Sequence, residues 1–330
     1  MRPLRIFTWH VHGNYLYYLT QGPHEFYLPI GGSGTGYAGA APGFPWSARV
    51  HDLPIDEIPR LDFDVILFQS RTHYLRDQYD ILTARQRRLP AIFLEHDPPQ
   101  EHPTNTRHVV DDPSMLLVHV TPFNELMWDN GKTPTRIIEH GVLVPHGVRY
   151  TGEIPKGLVV VNGLRRRGRR LGSDVFERVR REIPLDLVGM ESEELGGLGE
   201  MSHDALPQLM CRYRFMFNPI RYTSLGLSVC EAMALGVPVV GLATTEMATL
   251  IAQGRSGYVH TDLRRLIGYM QMLLSDPAEA HRASLETRRE GQRRFNITRF
   301  IDDWNAVFAA ALRQGTAYER PRQTEPLLAG

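Results

Sequence analysis

Short apolar runs alternate with stretches of helical period along the first 140 residues. Leu4–Trp9, Phe63–Gln69, Ala91–Glu95, Leu116–Val120 and Thr135–Glu139 have the length and continuous apolarity of strands buried on both faces. Between them, Asn14–Thr20, Tyr74–Arg88 and Pro122–Asn130 carry helical spacing. The rhythm stops at His140–Lys156, which holds two prolines and three glycines without a period; a domain linker is expected there. It resumes with strands at Leu158–Val161, Leu185–Val188, Phe215–Asn218 and Val237–Gly241. Helices are expected at Ser173–Arg181, Asp204–Tyr213, Gly226–Ala234 and Glu246–Gln253. Thr261–Arg313 reads as helical almost throughout, and Phe300, Ile301, Trp304, Val307, Phe308 and Ala311 mark one apolar face of its last helix. No repeat of fixed period is visible.

Strands alternating with helices predict an α/β protein with parallel sheets. Two such series predict two doubly wound, Rossmann-like domains, 1–150 and 151–297, facing each other across a cleft. Residues 298–330 are expected to form a helix packing back on the first domain, then a frayed polar tail. Ligands in such sheets bind beyond the carboxyl ends of the strands.

Composition sharpens the picture in three ways. Basic and acidic residues number 37 each, for a net charge of zero, which argues against nucleic-acid binding by bulk charge. The two cysteines are too few for a disulfide framework, and no run is apolar enough for a signal peptide or a membrane span. A cytoplasmic protein with at most peripheral contact to the inner membrane face is expected. All basic residues except Lys132 and Lys156 are arginine, and five of them crowd around Gly168 in Asn162–Gly172. Such a cluster directly after a strand calls for an anionic partner.

The second candidate is Pro219–Val239, PIRYTSLGLSVCEAMALGVPV. A strand ends at Pro219 and a helix opens at Gly226, so unpaired amides at the helix start attract anions by roughly 0.3–2 kcal/mol. Glu231, one to two turns in, can accept hydrogen bonds from sugar hydroxyls. In the first domain, Trp9–Asn14 brings Gly13 and Asn14 to another helix start after the first strand.

Residues 219–257 resemble the donor-binding signature of GT-B retaining glycosyltransferases, the family 4-like glycosyl transferases group 1. The family pattern Glu-Gly-Phe-Gly-Leu, three residues, then Glu-Ala-Met-Ala-x-Gly-x-Pro-Val-Val is met by Thr223–Leu227 and Glu231–Val240. Its later Ile-x-x-Gly-x-x-Gly is met by Ile251, Gly254 and Gly257, with Thr249 where an acid often stands. The resemblance implies transfer of a sugar from a nucleotide-diphosphate sugar to a carbohydrate or glycolipid acceptor, with retention, in bacterial polysaccharide or glycolipid synthesis. It implies no metal and no cofactor beyond the donor. Glu231 falls on the residue that binds the ribose, and Gly226 and Leu227 on the backbone near diphosphate and sugar, while Thr223, Ser224 or Arg221 would make different donor contacts where the family's first glutamate is missing. Arg166 and Arg169 fall near the diphosphate clamp, Gly13 and Asn14 on a glycine turn, and His96 on a histidine near the transferred sugar. Thr223 stands where the family has its sugar-facing glutamate. A catalytically reduced nucleotide-sugar-binding protein is the alternative this departure leaves open. A metal-dependent hydrolase built on His10, His12, His96, Asp97 and His102 is a further one. Two other patterns are set aside: Gly34–Gly39 precedes a Pro-containing segment where no helix can start, and 29–48 reads as a loop. Asp62 and Asp64 precede a strand and read as a strand-entry turn.

Overall fold

The computed structural model describes residues 2–317. It divides into two compact units. One consists of the described residues up to His119, Met127–Ile138 and those from Asp302 onward; the other consists of Val120–Leu126 and Glu139–Ile301. The sequence places the boundary at 150/151, whereas in the structure the second unit resumes at Glu139. The expected tail beyond residue 317 lies outside the described residues.

The first unit is built on a seven-stranded parallel sheet: β1 (Arg5–Thr8), β2 (Glu25–Ile30), β3 (Val50–Pro54), β4 (Val65–Phe68), β5 (Ala91–Glu95), β6 (Leu116–His119) and β7 (Thr135–Ile137). Their spatial order is β3-β2-β1-β4-β5-β6-β7, so the chain reverses its direction of travel between β1 and β4. Helices α1 (Gly13–Leu19), α2 (Gln78–Ile81) and α3 (Pro122–Met127) lie among these strands in sequence. The core gathers Phe7, Trp9, Ile66, Phe68, Phe93 and Leu117.

Three expectations are corrected here. Glu25–Ile30 and Val50–Pro54 are strands; they escaped notice because β2 contains Pro29, β3 mixes His51 and Asp52 with its apolar positions, and prolines demote a strand pattern. The 29–48 loop is therefore partly strand, and Ile30 bridges Ala38 within it. Tyr74–Arg88 is not one helix but a π-helical turn (His73–Asp77), α2 and a 3₁₀ turn (Gln86–Arg88).

The second unit holds β8 (Ile154–Val160), β9 (Leu185–Val188), β10 (Tyr213–Asn218), β11 (Val239–Leu242) and β12 (Gly257–His260). All pair in parallel in the order β12-β11-β10-β8-β9, which sets the reversal between β8 and β10. Its helices are α4 (Gly168–Leu171), α5 (Ser173–Val179), α6 (Ala205–Arg212), α7 (Leu227–Leu235), α8 (Met247–Leu250), α9 (Leu263–Ser275), α10 (Pro277–Arg294) and α11 (Ile297–Ala317). Phe176, Phe215, Phe217, Val240, Leu266 and Met270 form the core. Helix α11 enters the first unit at Asp302. There Trp304 and Phe308 are buried, Trp304 Nε1 donates to Tyr15 Oη at 3.1 Å, and Phe308 packs edge-on to His24. Among the described residues no helix is long and apolar enough to cross a membrane.

Candidate functional site

The reversal between β8 and β10 brings together the two segments that the sequence singled out. Residues 161–172 leave β8 and residues 219–226 leave β10, and the two loops touch. Gly172 has φ +82°, and a Cβ there would sit 2.0 Å from the carbonyl oxygen of Pro219. Only glycine allows both the left-handed turn and the approach. The amides of Arg221 and Tyr222 donate to the Arg170 carbonyl at 3.0 and 3.2 Å, which fixes the register of the loops.

Three arginines of the loop, Arg165, Arg166 and Arg169, have internal partners. Arg166 makes a forked contact, Nε and Nη2 lying 3.0–3.2 Å from the Glu191 carboxylate, and that contact holds its pKa up. Arg169 donates to Asp174 at 2.6 Å, while Arg221 forks onto the same carboxylate at 2.5 and 2.8 Å. The Asp174 carboxyl is held below the ordinary range, chiefly by the hydrogen bond from Arg221 and further by the charge of Arg169. Arg165 donates to the Glu194 carbonyl at 3.1 Å. Asp174 and Glu191 were not among the sequence candidates, because pairs separated by 25 to 47 residues leave no local signal. Glu191 sits at φ +63°, a strained position for a residue with a side chain.

Helix α7 begins at the far end of the second loop. Gly226 caps it in extended backbone, no side chain caps it, and its first turn carries no acid. The ladder starts with Val229 N donating to Gly226 O at 3.0 Å, so the amides of Leu227 and Ser228 have no acceptor within the helix. Gly226 itself has ordinary φ, −69°, and a Cβ would meet nothing nearer than Ser228 Oγ at 3.6 Å; its bareness leaves the helix start open. Glu231 lies one turn beyond Leu227 on the same face, 7% exposed. The helix is seated by α10, where Gly291 passes so close that a Cβ would sit 2.3 Å from the carbonyl carbon of Met233.

Thr223 and Ser224 are half-buried in the loop. Ser224 Oγ accepts from Asn124 Nδ2 at 3.1 Å, and the Leu225 carbonyl accepts from His140 Nε2 at 3.0 Å. Behind them lies a charged node invisible in the sequence. Arg294 joins Glu139 (Nε to Oε1, 2.8 Å) to Glu246 (Nη2 to Oε1, 2.9 Å), and Glu246 also accepts from the Phe123 amide at 3.3 Å. Thr249, where the family often has an acid, donates its hydroxyl to Glu246 Oε1 at 3.1 Å. A carboxylate thus stands beside that position, supplied from three residues earlier.

The remaining candidates lie in the first unit, around its own reversal between β1 and β4. His96 follows β5 and shares a 3.0 Å contact from Nε2 to Gln69 Oε1. Its ring lies 4.1 Å from that of His12 and 4.9 Å from that of Tyr15, centre to centre. Gly13 and Asn14 open α1, which is seven residues long with His12 as its N-cap. A Cβ on Gly13 would come within 2.8 Å of the Phe44 ring. Arg166 and Arg169 thus lie in the segment after β8, Ser224 and Gly226 in the loop after β10, and Leu227 and Glu231 in the first turns of α7, while Gly13 and Asn14 follow β1 and His96 follows β5 in the first unit.

Among the described residues no three His, Cys, Asp or Glu side chains converge as metal ligands, so His10, His12, His96, Asp97 and His102 do not assemble as the hydrolase alternative requires. Gly34–Gly39 is followed by no helix. Asp64 accepts from the Arg5 amide at 2.8 Å and pairs with Arg2, while Asp62 pairs with Arg85 at 2.8 Å.

Residues 159–276 match the family model of glycosyl transferases group 1. Solved structures share the architecture over nearly the whole chain. Sucrose-phosphate synthase from Thermosynechococcus elongatus is 17% identical, with 96% of this chain and 98% of that one aligned at a TM-score of 0.64. Anabaena Alr3699/HepE in complex with UDP is 12% identical, covering 93% and 100% at 0.65. AviGT4, a glycosyltransferase involved in avilamycin A biosynthesis, is 15% identical, covering 94% and 98% at 0.61. The fold is GT-B, an α/β architecture of two Rossmann-like domains. No curated protein sequence matches the chain.

Proposed function

We propose that this protein is a retaining glycosyltransferase that works without a metal ion and draws its sugar from a nucleotide diphosphate. The observation that carries the proposal is the β8–β10 reversal, where an arginine-rich loop packs on the loop that leads into an uncapped helix start, one turn ahead of a buried carboxylate. In this reading the ribose hydroxyls donate to Glu231. The diphosphate lies against the amides of Leu227 and Ser228 and the guanidinium groups of Arg166 and Arg169. Charge grows on the leaving phosphate as the glycosidic bond breaks, and dipoles and cations already aimed there lower the barrier. A carbohydrate or glycolipid acceptor would be served from the strand-end face of the first unit, by Gly13, Asn14 and His96, in the making of a bacterial polysaccharide or glycolipid on the cytoplasmic side of a membrane. HepE was solved with UDP-glucose, which makes uridine diphosphate sugars the first donors to try.

Thr223 supports a second reading, a nucleotide-sugar-binding protein with reduced catalysis, because a hydroxyl stabilises a developing cation far less than a carboxylate does. Calorimetry with uridine, guanosine and adenosine diphosphates, followed by turnover assays with and without EDTA, separates the two. Glu231→Ala is expected to weaken the nucleotide that binds by at least about tenfold, the loss of one charge-assisted hydrogen bond or more. Unchanged affinity in a folded variant refutes the ribose assignment, and turnover abolished by the chelator refutes metal independence. Tight nucleotide binding with neither transfer nor hydrolysis favours the second reading.

A further inference from the structure

The segment after β4 carries its polarity inverted. His73 and Gln78 are 1% and 7% exposed, whereas Leu75 and Tyr79, one helical turn apart, are 44% and 39% exposed. The turn over His73–Asp77 is π-helical, and its i→i+5 repeat sets His73 and Gln78 on the inner side. His73 Nε2 donates to the Thr35 carbonyl at 2.9 Å, and Gln78 Nε2 donates to the Tyr74 carbonyl. Polar groups thus face the protein while two large side chains with apolar bodies face water. A single exposed leucine is ordinary. A pair at i and i+4, over buried polar residues, marks a surface that meets something else.

The charges around the pair are mainly positive. The Arg87 guanidinium lies 5.1 Å from the centre of the Tyr79 ring. Arg76 and Arg88 are exposed, and among the described residues neither pairs with an acid. Arg71 and Arg85 are matched by Glu101 and Asp62. Of the two acids in 71–88, Asp77 is half-buried 3.8 Å from His73 Nε2, which leaves Asp80 exposed. We propose that Leu75 and Tyr79, flanked by Arg76, Arg87 and Arg88, form the surface by which the first unit lies on a bilayer of anionic phospholipid. Leu75 and the Tyr79 ring enter the headgroup boundary, and the guanidinium groups meet lipid phosphates. A second copy docked here through the same surface would set like charges against each other. The proposal rests on the sugar-transfer reading only in that a glycolipid acceptor brings the protein to such a surface.

The test sediments the full chain with vesicles of phosphatidylcholine, with and without phosphatidylglycerol. Binding to the anionic vesicles at low salt, with release as salt rises, is expected, and neutral vesicles are expected to bind far less. Leu75→Ser combined with Tyr79→Ser is expected to raise the lipid needed for half-binding by at least about tenfold. Arg76→Gln combined with Arg88→Gln is expected to raise it by about fivefold for each charge removed. Arg264→Gln with Arg265→Gln, an exposed pair on α9 of the second unit, is expected to leave it unchanged. All of these positions are exposed, and melting temperatures check that the variants fold. No binding to anionic vesicles overturns the proposal, as does binding that ignores both patch variants or falls equally in the α9 control. Self-association that the Leu75/Tyr79 variant abolishes, without vesicle binding, also overturns it, in favour of a second copy. Vesicle binding as expected with no sugar transfer supports the surface and counts against the enzymatic reading, so the two failures are told apart.

Discussion

If Arg166 grips a phosphate, it does so against competition from Glu191. Its Nε and Nη2 are committed to that carboxylate, so an incoming diphosphate meets the other edge of the guanidinium. Carboxylate and phosphate then sit on opposite sides of one planar cation, about 7 Å apart. At that distance in water two unit charges repel by about RT, a factor of about three in affinity per phosphate charge. Both side chains of the pair are largely exposed, 65% and 40%, so the dielectric of water is the right one. Glu191→Gln removes the repelling charge, keeps the side-chain shape and leaves an oxygen for Nε. Affinity for the nucleoside diphosphate that the wild type binds is therefore expected to rise about three- to tenfold at low ionic strength. The gain shrinks as salt brings the Debye length to about 8 Å. Calorimetry over a salt series reads this directly, with the melting temperature as the check on folding. Equal or weaker binding by Glu191→Gln at low salt, with unchanged melting, refutes both the electrostatic competition and the placement of phosphate on Arg166.

The remaining expectations concern the framework. His119 is fully buried, and burial pushes its pKa down from 6.5 to about 4 although Nε2 faces Asn130 Oδ1 at 2.9 Å. Between those values the unfolded chain binds a proton that the folded one refuses, so stability rises with pH across the window and is lost on acidification, by roughly 3 kcal/mol in full. His24 and His73 are lowered by burial in the same direction. Urea unfolding at pH 7.5 and 4.5 is expected to show the wild type losing more stability than His119→Gln, by roughly 2–3 kcal/mol; parallel losses would contradict the assignment. Gly172→Ala adds a left-handed residue, about 1–2 kcal/mol, to a clash with the Pro219 carbonyl. A loss of at least about 2 kcal/mol in urea unfolding is expected, and a near-neutral substitution would mean that the two loops do not meet as described.

What could be seen in the sequence, and what could not, follows from the range of the forces involved. Strands buried on both faces write themselves as apolar runs, so β1, β4, β5, β6 and the inner strands of the second unit were legible. The edge strands β7 and β9 were legible as well, whereas inner β2, interrupted by Pro29, and the edge strands β3 and β12 left traces too short or too mixed to detect. The helix start at Gly226 was legible because strand, proline, glycine and helix follow one another within a dozen residues. The charge balance of that face was not. Asp174 and Glu191 each look like ordinary surface acids in their own segments, and only the close passage of Gly172 beneath Pro219 brings Asp174 onto Arg221. The same holds for Gln69, whose contacts with Thr8, Trp9 and His96 appear only once three strand ends lie side by side. An arginine-rich loop read alone suggests a bare cationic trap. Read with its partners, Arg166 is forked onto Glu191, and Arg169 and Arg221 share Asp174. If a diphosphate binds there as proposed, it competes with Glu191 for Arg166 and with Asp174 for Arg169, so those two acids are the positions at which affinity is expected to be tuned.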